Sequence, residues 1–157
     1  MALGPNLTNI EIDEILSELK LDGDKQQNKT VLVIDDDQWI QRVVTHHLKN
    51  WGFEPVSAYD AVEGIAMAVK IMPRFILLDI IMPEANGDLL LKMLKKIEYT
   101  SNIPVIILSG NLNVSVIGAT YKNGAAGFIS KPIKEIVLLR KIREILVPES
   151  LLDPRLL

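Results

Sequence analysis

Phe75-Ile76-Leu77-Leu78 runs straight into the single carboxylate of Asp79, and Pro83 stops the segment four residues later. A continuous apolar run of this length, followed by turn chemistry, predicts a strand buried on both faces. Such a strand needs neighbours on either side and a layer of helices above and below. Other segments share the plan. Val31-Leu32-Val33-Ile34 runs into Asp35-Asp36-Asp37, Val105-Ile106-Ile107-Leu108 runs into Ser109, and Gly127-Phe128-Ile129-Ser130 ends on Lys131-Pro132. One aspartate after one strand reads as a helix cap. Carboxylates, a hydroxyl and an ammonium at four strand ends read as a site.

The body of the chain alternates. Strands are predicted near 30–34, 54–58, 75–79, 104–108 and 127–130, with helices near 38–50, 61–71, 87–97, 113–122 and 134–146. Five strand–helix units make an α/β fold, a doubly wound five-stranded parallel sheet, and the common order is 2-1-3-4-5. Strands 1 and 3 are then neighbours, and the crevice where the winding reverses lies between their carboxyl ends. Topology alone brings Asp35, Asp36 and Asp79 together and carries Ser109 and Lys131 to the same edge. The helix at 113–122 is the weakest: Val114, Val116, Ile117, Gly118 and Thr120 cost it roughly 2–4 kcal/mol against alanine. The last helix has an unusually broad apolar face: core packing explains most of it, and the alternative is that Leu138 or Leu139 is left for a partner.

Residues 1–29 read as an amphipathic helix and linker, 30–147 as the α/β domain and 148–157 as a tail. Thr8-Asn9-Ile10-Glu11 fits a capping box. Ile12, Ile15, Leu16 and Leu19 then follow at helical spacing, and Asp22 to Lys29 is polar. A helix this short is marginal alone, so its apolar face must be covered, by the same chain or by a second copy; the expectation leans to a homodimer contact.

Composition narrows the function. The 157 residues carry 17 basic and 20 acidic side chains, with no basic run longer than two, which leaves no footprint for nucleic acid. Without cysteine there are no disulfides and no thiolate metal sites. The sequence has no charged leader with an apolar core and no 18-residue apolar stretch, so a cytoplasmic protein is expected.

Clustered carboxylates repel; one pair at ~4 Å costs on the order of 4 kcal/mol at an effective dielectric of 20. Asp35, Asp36 and Asp79 against Lys131 leave a charge of -2, which calls for a proton or a divalent cation. An all-oxygen set suits Mg²⁺, and a phosphate can then approach. Asp79 becomes a candidate nucleophile, because aspartate can form an aspartyl-phosphate. The phosphoryl oxygens need positive charge and donors, which Mg²⁺, Lys131 and Ser109 would supply. His46 and His47 are adjacent on a helix and read as structural or solvated.

Val-Leu-Val-Ile-Asp35-Asp36, Leu-Leu-Asp79-Ile-Ile-Met-Pro83, Ile-Leu-Ser109 and Phe128-Ile-Ser-Lys131-Pro132 resemble the receiver domain of two-component response regulators, the CheY-like family with its flavodoxin-like fold. The resemblance implies Asp79 as phosphoacceptor and Asp35 and Asp36 as the acidic pair, Asp36 being the direct Mg²⁺ ligand. It implies the main-chain carbonyl of Ile81 as a further ligand, Ser109 as the switch hydroxyl and Phe128 as the aromatic that follows it. Lys131 becomes the phosphate-binding lysine, before a cis proline. The phosphodonor would be a histidine kinase or phosphotransfer protein, and the conformational switch would control a partner or output domain. On this reading the chain is a phosphorelay signalling domain and not an enzyme. Asn86-Gly87 stands where Asp-Gly is usual, Ile81 is apolar at an often polar position, and Asp37 reads as solvated.

Two rivals remain. A haloacid-dehalogenase-like phosphatase also uses Asp-x-Asp at a strand end, but Trp39 stands where Thr or Val should follow, and Asp79 would have no role. A receiver-like interaction module would bind no Mg²⁺ and would tolerate Asp79→Asn.

Overall fold

The computed structural model describes residues 7–20, 27–82, 85–110 and 113–147. Pro83, much of the expected linker and the tail at 148–157 lie outside the described residues. In chain order the elements are α1 (Leu7–Leu19), β1 (Thr30–Ile34), α2 (Gln38–Asn50), β2 (Glu54–Ala58), α3 (Ala61–Ile71) and β3 (Phe75–Asp79). They continue with α4 (Gly87–Lys96), β4 (Val105–Ser109), α5 (Val114–Lys122), β5 (Gly127–Ser130) and α6 (Glu135–Leu146). A two-residue antiparallel ribbon, Ile81–Met82 against Ala85–Asn86, lies between β3 and α4.

The five strands form one parallel sheet in the order β2-β1-β3-β4-β5. This is the doubly wound arrangement that the alternation predicts. The fourth strand starts and stops one residue later than expected, so Ser109 is its last residue and pairs with Ser130.

The strands read as unbroken apolar runs because helices cover both faces, yet the two-residue pleat still sorts their side chains. Val31, Val33, Phe75, Leu77, Ile106, Leu108 and Ile129 point to one side, against Val44 and Leu48 of α2 and Leu138, Leu139 and Ile142 of α6. Leu32, Ile34, Ile76, Leu78, Val105 and Ile107 point to the other, against Ala68 of α3 and Leu90, Leu91 and Leu94 of α4. The central strand β3 is buried along its whole length. Its carboxylate is therefore held at the edge of a rigid layer.

The face of α1 is covered within its own chain, against the expected lean to a dimer contact. Ile15 is fully buried and Leu19 nearly so, in the same cluster as Leu138, Leu139 and Ile142, with Ile12 and Leu16 packed around them. Leu138 and Leu139 are thus core residues and not a surface left for a partner. The capping box is also absent as read. The helix already begins at Leu7, so Thr8 lies inside it. Glu11 reaches across to α6, where Arg140 Nε and Nη2 donate to its two carboxylate oxygens at 2.6 and 2.7 Å.

Burial and charge contribute unequally here. Each deeply buried apolar side chain adds ~1.5–3 kcal/mol, whereas an exposed ion pair adds ~0–1 kcal/mol. Ile15→Ala should lose about 2–4 kcal/mol in urea unfolding, and Arg140→Gln less than about 1 kcal/mol. The reverse order would mean that charge, not burial, seats α1.

Candidate functional site

The site is assembled at the carboxyl edge of β1, β3, β4 and β5. Asp35 follows β1 directly and is fully buried. Its N–H donates to Ala58 O at 3.1 Å, which ties the end of β1 to β2. Both carboxylate oxygens are engaged: Oδ1 accepts from the N–H of Asp37 at 2.9 Å and Oδ2 from Lys131 Nζ at 2.9 Å. Asp79 ends β3 and is 3% exposed. Its Oδ1 accepts from the N–H of Ile81 at 3.0 Å, and its Oδ2 lies 3.4 Å from Lys131 Nζ. Asp36 follows Asp35 and is exposed. One carboxylate oxygen from each of the three aspartates lies within 4.8 Å of the others.

Lys131 arrives from the end of β5. Its N–H donates to Ser109 O at 2.8 Å, and its bond to Pro132 is cis. Ser109 is fully buried. Phe128 pairs with Ile107, two positions before the Ser109–Ser130 pair, and is partly buried against the cluster beneath α3 and α4. Asp35, Asp36, Asp79 and Lys131 therefore converge directly. Ser109 joins them through the backbone, and Phe128 lies one layer down. Ile81 commits its N–H to Asp79, pairs with Asn86 in the ribbon and leaves its side chain 60% exposed.

Some placements differ from the expectation or were not foreseen. Asp37 is exposed, but it is not merely solvated: its Oδ1 accepts from the N–H groups of Trp39 (2.8 Å) and Ile40 (3.3 Å) and caps α2. Gly87 opens α4 where a helix was expected, and its need for glycine was not foreseen. A Cβ there would lie 2.5 Å from Ile80 Cα and 2.7 Å from Asp79 O, so only glycine lets α4 start against the backbone of the central carboxylate. Gln41 is 2% exposed and hydrogen-bonded to the ends of β1 and β2. Its signal was available: with Val44 and Leu48 it occupies i, i+3 and i+7 of α2, and an amide on an apolar stripe must find partners.

The electrostatics follow from crowding. The Asp79 carboxyl is raised from 3.8 to about 6, chiefly by burial; the Ile81 N–H opposes the shift, the charge of Asp35 adds to it, and Lys131 opposes it in turn. Burial alone would lower the Lys131 ammonium, but its hydrogen bond to Asp35 and the charges of Asp35 and Asp79 outweigh this and raise it. Clustered hard oxygens, an uncompensated negative charge and a solvent-facing Asp36 fit a divalent cation of the Mg²⁺ type, which keeps part of its water.

Between pH 3.8 and about 6 the folded chain holds a proton on Asp79 that the unfolded chain has released. Stability therefore falls as pH rises through that window, and the ionised carboxylate costs the metal-free fold about 1–3 kcal/mol at neutral pH. In buffer free of divalent ions, Asp79→Asn should melt several degrees higher than wild type at pH 7.5. The gap should close below pH 4. An equal or lower melting point at pH 7.5 would mean that Asp79 is not strained.

Comparison with known proteins agrees with this arrangement. The sequence profile of the response regulator receiver domain matches residues 31–143. Protein PilH of Pseudomonas aeruginosa is 31% identical over 116 residues, which are 74% of this chain and 96% of PilH. The DNA-binding dual master transcriptional regulator RpaA of Synechocystis is 31% identical over 118 residues, but these span only 48% of RpaA. The chain likewise spans 7% of the hybrid signal transduction histidine kinase D of Dictyostelium discoideum. It thus covers about half or less of several longer relatives. Among solved structures, chemotaxis protein CheY4 of Vibrio cholerae superposes with a TM-score of 0.73 at 27% identity, over 76% of this chain and all of CheY4. A CheY-like receiver domain protein of Methanospirillum hungatei gives 0.71 at 29%, over 76% and 94%. The acidic crevice sits where a doubly wound sheet places its site, the family profile spans it from β1 into α6, and the chain belongs to the response regulator receiver domain family.

Proposed function

We propose that this chain accepts a phosphoryl group on Asp79 from a histidine kinase or phosphotransfer protein, and that the modified domain controls a partner or output domain. The observation that carries this reading is the position of Asp79: buried, ending the central strand, 3.4 Å from Lys131 Nζ and within 4.8 Å of the other acidic oxygens.

An oxygen of Asp79 attacks phosphorus, the P–N bond of a phosphohistidine breaks, and its electron pair leaves on the imidazole nitrogen. No general base is needed, because above pH 6 the nucleophile is already ionised. The Ile81 N–H and the Lys131 ammonium hold the carboxylate in place, and Lys131 can follow the charge onto the new phosphoryl oxygens. Asp35, Asp36, Asp79 and the main-chain carbonyl of Ile81 would hold Mg²⁺, which would neutralise charge on the incoming phosphate. Asp37 is committed to capping α2, which weighs against a phosphatase of the Asp-x-Asp type.

The switch follows from the added charge. Phosphorylation turns one negative charge into nearly two, and its oxygens draw the Ser109 hydroxyl and open space for Phe128. Helix α5 is suited to respond: Thr120 is its one buried residue, and Asn113 caps it by accepting from Ser115 N. A full reversal of a two-state equilibrium takes up to ~5.5 kcal/mol, so a loosely seated element is the economical place for it.

Acetyl phosphate with Mg²⁺ should add one phosphoryl mass to the wild type and none to Asp79→Asn. Equal labelling of both proteins in intact-mass spectra would move the nucleophile elsewhere. Amide exchange in α5 should be fast in the unmodified protein and slow by about tenfold or more with a beryllofluoride mimic. Unchanged protection there would remove α5 as the switch.

A further inference from the structure

Asp36 is the exposed member of the acidic cluster, yet its carboxylate must meet two buried ones within 4.8 Å. An exposed side chain on a loop would ordinarily wander. Its backbone is held on both sides instead. The carbonyl of Asp35 belongs to the peptide plane before the Asp36 Cα, and it accepts from Gln41 Nε2 at 3.1 Å. The N–H of Asp37 belongs to the plane after it and donates to Asp35 Oδ1 at 2.9 Å. Peptide planes are rigid, so fixing both fixes the direction in which Asp36 leaves the backbone.

Gln41 is itself immobile. Its Nε2 also faces Val33 O at 2.9 Å and Ala58 O at 3.0 Å, so its two hydrogens are shared among three carbonyl oxygens. Its Oε1 accepts from Ser57 Oγ at 2.8 Å. Its backbone N–H donates to Asp37 O at 3.1 Å, closing the loop onto the first turn of α2. The amide thus transmits the rigid ends of β1 and β2 to the one acidic residue that the core does not hold.

Resting on the divalent-cation site proposed above, we propose that Gln41 is a positioning residue for that site, which sets its cation affinity by aiming Asp36 without touching the cation. Partners that orient metal ligands are worth about 10–100-fold in affinity.

The test is calorimetric titration with Mg²⁺ alone, below the melting temperature of every variant. Gln41→Met keeps the size and removes the donors; it should bind Mg²⁺ about tenfold or more weakly than wild type. Ser57→Ala removes only the contact on Oε1, and should change the affinity less than about twofold even if it lowers the melting point. Gln41→Met with wild-type affinity, or Ser57→Ala as weak as Gln41→Met, overturns the inference and leaves the site reading intact. A wild type that binds no Mg²⁺ overturns the site reading and the inference with it. If Gln41→Met does not fold, the wild-type side-chain amide resonances of Gln41 decide. They should shift in step with Mg²⁺ binding, and resonances that stay fixed at saturation overturn the assignment.

Discussion

Lys131 is the hinge of the arrangement. One ammonium lies 2.9 Å from Asp35 and 3.4 Å from Asp79, and both carboxylates are withdrawn from solvent. Desolvating such charges costs several kcal/mol each unless partners meet them with good geometry. One cation cannot balance two buried anions and an exposed third. The site is therefore left with a standing deficit of positive charge, and its residues are held in place although they repel. That deficit is what the proposed divalent ion and phosphoryl group would use. Burial, with the charge of Asp35 added, holds the carboxyl of Asp79 near 6, while the hydrogen bond to Asp35 and the charges of both aspartates raise Lys131.

Holding mutually repelling groups together requires rigidity around them. The sheet supplies it through β3, buried from Phe75 to Asp79 and backed by separate helical layers. The loops add local constraints: the N–H of Asp37 on Asp35, the N–H of Ile81 on Asp79, Gln41 on the ends of β1 and β2, and Gly87 against the backbone of Asp79 and Ile80. Helix α1 widens one layer by covering α6, so that the apolar breadth of α6 is satisfied inside the chain. Against this stiff background α5 stands out as loosely seated, with one buried residue. Order at the site and looseness beside it suit the proposed switch, which needs a fixed trigger and an element that can move.

The strands, the sheet order and the four converging charged residues were legible in the sequence because each rests on a local rule. An apolar run ends on a polar residue, and the handedness of crossover connections leaves few topologies. Cis Pro132 was legible as well, through the family resemblance. Asp37 was read as merely solvated because a third carboxylate in an exposed loop has no evident partner in the sequence, whereas its geometry makes it a cap. Gln41 was overlooked because one amide on an apolar stripe shows its meaning only when the carbonyls around it are known.

The sequence by itself determined which groups reach the crevice, since strand ends and parallel topology place Asp35, Asp36, Asp79, Ser109 and Lys131 at one edge whatever the details of packing. Only the tertiary structure decided how they share the space. Which oxygen Lys131 takes, which aspartate stays open to solvent and which one caps a helix are settled by hydrogen bonds between residues up to 96 positions apart. The same holds for α1. Its apolar stripe requires a cover, but whether α6 or a second chain provides it depends on the shape of a surface that exists only once the sheet and its helices have packed.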